Sequence, residues 1–437
     1  MSHLVFCKPH HGIWYDPGAG DGNVQRTGNN ARPAEASEPD GGSGDQTGDE
    51  YSSQDGKAVE DKEGPAALGS TTQYRQERTK GQRTIPIYAA LDLGTNNCRL
   101  LVARPSRRGF VVVDAFSRII RLGEGVSHNG RLSEEAMART IEALWVCSDK
   151  MQRRGVQRSR SIATEACRVA DNGAEFVARV QSETGLGLEI VSRETEAKLA
   201  VSGCASLLDG NCEWALVFDI GGGSSELIWL DLARRRSRSG RPIHDRLDVQ
   251  NCIAAWTSLP VGVVTLAEHY GGRTVTGADF EAMVVHVVGL LEDFERTHRI
   301  REQVANARTH LLGTSGTVTT VAGVHLGLER YDRRRVDGCW MHVDDVRAVT
   351  QGLVAMSYLE RVAQPCIGDD RADLVLAGCA ILEGLMRMWP STRLRVADRG
   401  LREGLLASMM AEDGVYRYGR RPGRSRRRRT RSGPAKE

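Results

Sequence analysis

From residue 85 onward, apolar residues fall into short bounded runs and longer runs of helical period, whereas the first 84 positions show neither. Ile85 to Val102 reads as two apolar strands about an acidic, glycine-containing turn, and Gly109 to Ile120 as a third strand. Arg121 to Gly125 reads as a turn. Ser133 then offers an N-cap ahead of Glu134 and Glu135. Met137, Ile141, Leu144, Ser148 and Met151 follow at helical spacing, and Gly155 marks the stop. Ser161 to Thr164 reads as a short strand, Asn172 to Glu183 as a helix, Leu188 to Val191 as a strand, and another helix begins near Glu194. Strands first and helices after, with crossovers, give an α/β domain with a mixed sheet.

The order then repeats. Trp214 to Leu230 is a second hairpin and Ile253 to Leu259 its third strand, with helices predicted over Val263 to His269 and Asp279 to Arg296. Thr309 to Leu312 is a strand running into Gly313-Thr314-Ser315-Gly316-Thr317, a turn that opens a helix. The backbone N–H groups of that turn, at Gly313, Ser315 and Gly316, could hold an anion, although such a turn also serves as a plain N-cap. Arg371 to Trp389 is expected to form one long apolar helix, Leu394 to Val396 a strand, and Asp398 to Gly404 the opening of the last helix. The expected division is a polar arm over 1–84, one α/β domain over 85–208, a second over 209–412 whose last helix could pack back on the first, and a basic tail over 413–437.

The two hairpins share more than their pattern. Leu91-Asp92-Leu93-Gly94-Thr95-Asn96-Asn97-Cys98-Arg99 aligns without a gap on Phe218-Asp219-Ile220-Gly221-Gly222-Gly223-Ser224-Ser225-Glu226. Asp92 falls on Asp219, Gly94 on Gly221 and Arg99 on Glu226, at an offset of 127 residues (219 less 92). Glycines leave the backbone N–H groups of a turn open to an anion. Acids on either side of the second turn, Asp219 and Glu226, with Asp92 in the first, could hold Mg²⁺ through hard oxygen ligands. Two such turns suggest two similar domains presenting phosphate loops to one cleft.

Composition narrows the class. Net charge is +3 over 437 residues, and no run approaches the ~18 apolar residues of a membrane span. Met1 to Asp16 lacks the charged region and apolar core of a signal peptide. The ten cysteines form no CxxC pair, and Cys204, Cys252 and Cys379 lie in apolar segments, as expected of buried thiols in a reducing cytoplasm. Cys7, His10 and His11 could touch a metal, but no partner cluster accompanies them. Residues 17–83 are mostly Gly, Ser, Asp, Glu, Gln and Thr, a composition that favours disorder. Positive charge gathers at Arg234 to Arg241 and in the tail, at Arg417, Arg420, Arg421, Arg424, Arg426 to Arg429 and Arg431. Both stretches could meet a polyanion such as nucleic acid.

A cleft holding a row of phosphates needs positioning, charge neutralisation and an oriented nucleophile. Arg99 and Arg168 could clamp phosphate oxygens bidentately. Glu194 and Glu196 start a helix before the interdomain connection. Either could activate a water, or both could merely favour the helix dipole.

The ordered set Leu91-Asp-Leu-Gly-Thr-Asn-Asn, Arg121-Leu-Gly-Glu-Gly, Leu132-Ser-Glu-Glu-Ala-Met, Ala163-Thr-Glu-Ala-Cys-Arg, Glu194-Thr-Glu-Ala, Asp219-Ile-Gly-Gly-Gly-Ser-Ser-Glu and Arg399-Gly-Leu-Arg-Glu-Gly resembles the exopolyphosphatase and guanosine pentaphosphate phosphohydrolase family. The resemblance covers Ile85 to Met410. It implies two actin-like (ribonuclease H-like) domains around a cleft. It also implies Mg²⁺-dependent release of terminal phosphate from polyphosphate, or of the 5′ phosphate from guanosine pentaphosphate. It places the water-activating glutamate on Glu196, the metal-associated acids on Asp219 and Glu226, the phosphate loop on Gly221, Gly222, Gly223 and Ser224, and a phosphate-binding arginine on Arg168. Glu194 is then a helix support. Members of this shape often dimerise, though no stretch here reads as a dimer seam. Nothing after the last helix reads as the additional helical domain of the longer members. The alternatives are a kinase or ATPase of the same fold superfamily, and a phosphate-sensing or nucleic-acid-binding regulator that uses the arginine tail.

Overall fold

The computed structural model describes residues 85–107, 109–235, 246–306 and 308–415. The polar arm, the Cys7–His10–His11 group, most of the basic excursion and the arginines of the tail lie outside the described residues.

Each half begins with a three-stranded antiparallel meander. In the first, β1 (Tyr88–Leu93), β2 (Asn97–Ser106) and β3 (Gly109–Ile119) pair in that order, and β4 (Arg158–Ala163) and β5 (Leu188–Ile190) add in parallel on the free side of β1. The second has β6 (Trp214–Ile220), β7 (Ser225–Asp231) and β8 (Ile253–Leu259), with β9 (Thr309–Thr314), a short edge strand β10 (Trp340–His342) and β11 (Arg393–Ala397). The sheet orders are β3-β2-β1-β4-β5 and β10-β11-β9-β6-β7-β8, so apart from β10 the second repeats the first. Helices α1 (Glu134–Arg153), α2 (Gly173–Thr184) and α3 (Arg193–Cys204) belong to the first half of the chain. Helices α4 (Val263–Tyr270), α5 (Gly277–His298), α6 (Gly316–His325), α7 (Val343–Ala355), α8 (Tyr358–Ala363), α9 (Val375–Met388) and α10 (Leu401–Glu412) belong to the second.

Alternation along the strands explains this layering. In β1, Ala89, Leu91 and Leu93 join the apolar cluster under α1, whereas Tyr88 and Ala90 join a second cluster on the other face. In β6, Leu216, Phe218 and Ile220 likewise part from Ala215 and Val217. Strands covered on both faces read as continuous apolar runs.

The covering helices are exchanged between the halves. Helix α3 buries Ala197, Val201 and Cys204 against Ala215, Val217 and Ile228 of the second sheet. Helix α10 buries Leu405, Leu406, Met409 and Met410 against Tyr88, Ala90 and Leu101 of the first. The two helices cross in backbone contact. A Cβ on Gly404 would lie 2.1 Å from the Leu199 carbonyl oxygen, and one on Gly203 would lie 1.8 Å from that of Gly400.

Three sequence expectations need correction. The single helix expected over Arg371 to Trp389 is broken into one helical turn at Asp369–Ala372 and then α9 from Val375. The backbone keeps right-handed helical angles at Asp373 and Leu374, but the hydrogen-bond ladder breaks there, where the Asp373 carboxylate binds Arg121 and its carbonyl packs on Gly272. Strand β4 begins at Arg158 rather than Ser161, since Arg158 and Arg160 are paired at its rim with Asp413, Glu412 and Glu189. Strand β9 continues through Gly313, which pairs with Phe218 on one side and Val396 on the other, so Gly313 is ladder and not anion turn. A Cβ there would lie 2.7 Å from the Phe218 ring. Strand β10 and helices α7 and α8 had no counterpart in the sequence reading.

The crossing of α3 and α10 makes a signed prediction. Gly404→Ala is expected to lower stability by about 1–3 kcal/mol or more, because the backbones must separate. Gly289→Ala in α5, where an added Cβ meets nothing within 4 Å, is expected to gain up to about 1 kcal/mol from helix propensity. Denaturant unfolding of both variants checks this, and equal shifts would refute the crossing as a constraint.

Candidate functional site

The two acidic glycine turns are built alike. The N–H of Gly94 donates to the carbonyl of Asn97 at 2.9 Å, and that of Gly221 to the carbonyl of Ser224 at 2.9 Å. The register sets Asp92 opposite Arg99 and Asp219 opposite Glu226. The turns meet, since a Cβ on Gly222 would lie 2.8 Å from Thr95 Cβ. With the start of α6 at Ser315 and Gly316 they line a cavity of about 150 Å³, into which Asp92, Glu165, Glu196, Asp219 and Glu226 also face. Ser315 has φ +146, a strained value for a residue with a side chain, and its hydroxyl accepts from the N–H of Val318. A second cavity of about 730 Å³ shares Asp92, Asn97, Arg99, Asp219, Ser315 and Arg371 with the first and extends outward to Tyr331 and Ile367.

Charge in the inner cavity is lopsided. Burial, then Glu226 and Asp92, push the Asp219 carboxyl up to about 8. Burial raises Glu226 as well, against the hydroxyls of Ser224 (2.8 Å) and Ser258 (2.9 Å), which donate to it. Asp92 is raised by burial, with Arg402 and Arg99 opposing. Glu196 is pushed well above the usual glutamate range by burial and by Glu226, while Arg168 pulls the other way. Helix α3 presents Glu196 from its first turn, where the Ser192 hydroxyl caps the N–H of Thr195. Arg168 Nη2 bridges Glu196 at 3.0 Å and Glu165 at 2.7 Å. Burial would raise Glu165, but the bonds from Arg193 and Arg168 outweigh it and hold Glu165 below its ordinary value.

The sequence model of the Ppx/GppA phosphatase family matches residues 101–413. The chain belongs to the Ppx/GppA phosphatase family. Its structure is similar to that of the Aquifex aeolicus member of the family, at 26% identity and a TM-score of 0.60, over 76% of this chain and 99% of that one. An exopolyphosphatase-like protein is 26% identical with a TM-score of 0.63, over 74% of this chain and 97% of that one. An exopolyphosphatase from Cytophaga hutchinsonii, at 22% identity, shares the fold with a TM-score of 0.65, over 75% and 98%. As in these relatives, the fold is α/β, with two actin-like (ribonuclease H-like) domains around an interdomain cleft.

Within this Ppx/GppA fold, Asp92, Gly94, Thr95, Asn96, Asn97, Arg99, Glu196, Asp219, Gly221, Gly222, Gly223, Ser224, Glu226, Ser315 and Gly316 come together at the inner cavity. Two expected residues do not. Gly313 is spent on the sheet, and Arg168 lies behind the lining, its donors committed to Glu165, Glu196 and the carbonyl of Val191. Glu194 is exposed and pairs with Lys198 one turn on. Sequence reasoning missed Glu165, Arg371 and Arg402. Glu165 stands three residues before Arg168 at a helix start, a visible signal, and Arg402 lies in the Arg399-Gly-Leu-Arg-Glu-Gly motif. Arg371 had no local signal, because tertiary folding alone brings it to the cavity. Among the described residues neither the Arg99 nor the Arg402 guanidinium has a hydrogen-bonded or ion-paired partner, so both remain open to an anion; burial pulls Arg402 down.

The donor set suits a hard divalent cation. No basic side chain is bonded to Asp92, Asp219 or Glu226 among the described residues, and the side-chain oxygens of Asn96 and Asn97 are buried without a partner. No three acidic, His or Cys side chains among the described residues converge on one point. A divalent cation held there would have to keep water or substrate oxygens around it, as Mg²⁺ does.

Asp219 supplies a pH test. Its carboxyl titrates near 8 folded and near 3.8 unfolded, so the stability it permits is present below pH 4 and is lost as pH rises towards 8. In EDTA, Asp219→Asn is expected to match the parent near pH 4. It should become progressively more stable than the parent up to about pH 8, and hold that difference above. Thermal melts across this range check it, and a pH-independent difference would contradict the burial of an unpaired carboxylate.

Proposed function

We propose that the chain releases terminal orthophosphate from inorganic polyphosphate by hydrolysis, with Glu196 as the base that activates water and Mg²⁺ as the cofactor. The observation that carries this reading is Glu196 itself. It is a half-buried carboxylate, raised by loss of solvation and by Glu226, held in orientation by Arg168, and it lines the same cavity as both glycine turns. A base with an elevated pKa takes a proton from water more readily once it is ionised.

In this scheme the backbone N–H groups of the turns at 94–97 and 221–224, with Ser315 and Gly316, hold the terminal phosphate oxygens. Arg99, Arg371 and Arg402 neutralise the phosphates beyond. Glu196 accepts a proton as the water oxygen bonds to the terminal phosphorus. The bond from that phosphorus to the bridging oxygen breaks, and the shortened chain leaves with the electron pair. Mg²⁺, held by Asp219 and Glu226 with Asp92 close by, would supply positive charge to the phosphate oxygens.

A second reading takes guanosine pentaphosphate as the substrate. The outer cavity of about 730 Å³ favours it, since it has room for a nucleoside beside Tyr331, Pro365 and Ile367. The regulatory reading through the arginine tail rests on residues outside the described ones.

Phosphate release with Mg²⁺ should be followed in parallel on polyphosphate and guanosine pentaphosphate. Polyphosphate is expected to react and Glu196→Gln to lose about 10²–10⁴-fold in turnover; near-parent turnover in that variant would discard the role. Because only ionised Glu196 serves, the rate should rise with pH and its acid limb should lie above the ordinary glutamate range. Asp219→Asn should need more Mg²⁺ for half-maximal rate, and an unchanged titration would remove Asp219 from the metal site.

A further inference from the structure

Arg361 is 1% exposed, and among the described residues no carboxylate is bonded to it. Its guanidinium instead donates to three carbonyls from separate segments: Met356 at 2.7 Å, Arg273 at 2.8 Å and Ala372 at 3.3 Å. Burial lowers its pKa. A buried cation without a counter-charge is costly, and a fold that merely needed filling would use an apolar residue. The Ala372 carbonyl stands at the break before α9, so Arg361 caps that break from inside the second domain.

The break lies between two working side chains. Arg371, one residue before Ala372, lines both cavities, and among the described residues its guanidinium has one bond, to Thr320, long at 3.4 Å. Asp373, one residue after, takes Arg121 in two bonds of 2.7 and 3.1 Å, and Arg121 also reaches the Asp370 carbonyl at 3.3 Å. Arg121 belongs to the first domain. It holds φ +46, uncommon for a residue with a side chain, and its N–H donates to the carbonyl of Asn96 in the first glycine turn at 3.1 Å.

We propose that Arg361 and Asp373 are positioning residues for Arg371. Arg361 fixes the broken segment from within its own domain, and Asp373 ties the same segment to Arg121 and so to the first glycine turn across the cleft. Arg371 is thereby presented to phosphate only when both attachments are made. The inference rests on the phosphate-binding reading proposed above.

The test uses the full chain carrying Glu196→Gln, so that turnover does not intervene, and titrates inorganic tripolyphosphate with Mg²⁺ by calorimetry. Arg371→Met is expected to weaken binding by about tenfold or more, the scale of one charge-assisted contact. Asp373→Asn and Arg361→Met should each weaken it several-fold. Combined with Arg371→Met, neither should weaken it further, because both act through Arg371. In the chain with Glu196 intact, Asp373→Asn should raise KM for polyphosphate and leave kcat within about twofold. Additive losses, or variants that bind like the parent, would overturn the inference. Should Arg361→Met fail to fold, Asp373→Asn carries the test alone. If tripolyphosphate does not bind even the Glu196→Gln parent, the phosphate-binding reading falls and takes this inference with it, an outcome distinct from the other two.

Discussion

Four carboxylates, the buried Glu226 and the half-buried Asp92, Asp219 and Glu196, crowd around one small cavity, and among the described residues only Glu196 is bonded to a cation. Acids so placed repel one another and lose their hydration, as the upward displacement of all four shows. The Ser224 and Ser258 hydroxyls on Glu226, Arg168 on Glu196, and Arg402 and Arg99 near Asp92 offset only part of that cost. The arrangement persists because the strands that carry these acids are fixed by cores on both faces, and because the register of each hairpin leaves no freedom in where its acids point. The site is thus a place of unfavourable electrostatics imposed by favourable packing, which is how binding and catalytic sites commonly stand against their scaffolds.

Duplication accounts for most of that imposition. A single meander with its acidic turn has one phosphate loop. Two copies facing each other produce opposed loops, and divergence at the matched positions assigns the tasks. Arg99 occupies in the first copy the place that Glu226 occupies in the second, so one side of the cleft is cationic where the other is anionic. The exchanged helices add the remaining group, since α3 brings Glu196 to the cleft while packing on the sheet of the other copy.

Much of this was legible in the sequence, and for a physical reason. Strands covered on both faces and turns that require glycine leave strong local patterns, so both hairpins, the strand β8 and the capped starts of α1 and α3 stood close to where they were expected. The gapless match of the two turns pointed to most of the cavity lining. What stayed hidden depended on distant contacts. Arg168 looked like a free cation because, Glu165 one helical turn before it apart, nothing local reveals Glu196 and the Val191 carbonyl around it. Gly313 looked like a turn because its packing against Phe218 is tertiary. The break at Asp373 and Leu374 lay in an apolar stretch that would continue as helix were it not for Arg121 and Arg361.

The exchange of covering helices also orders events while the chain is being made. One face of the first sheet, with Tyr88, Ala90 and Leu101, is closed by α10, whose residues leave the ribosome some three hundred positions after β1. At synthesis speeds of about 5–20 residues per second, that face waits tens of seconds for its cover. The amino-terminal half therefore cannot complete its core as an independent unit until α10 has been made and has packed on β1.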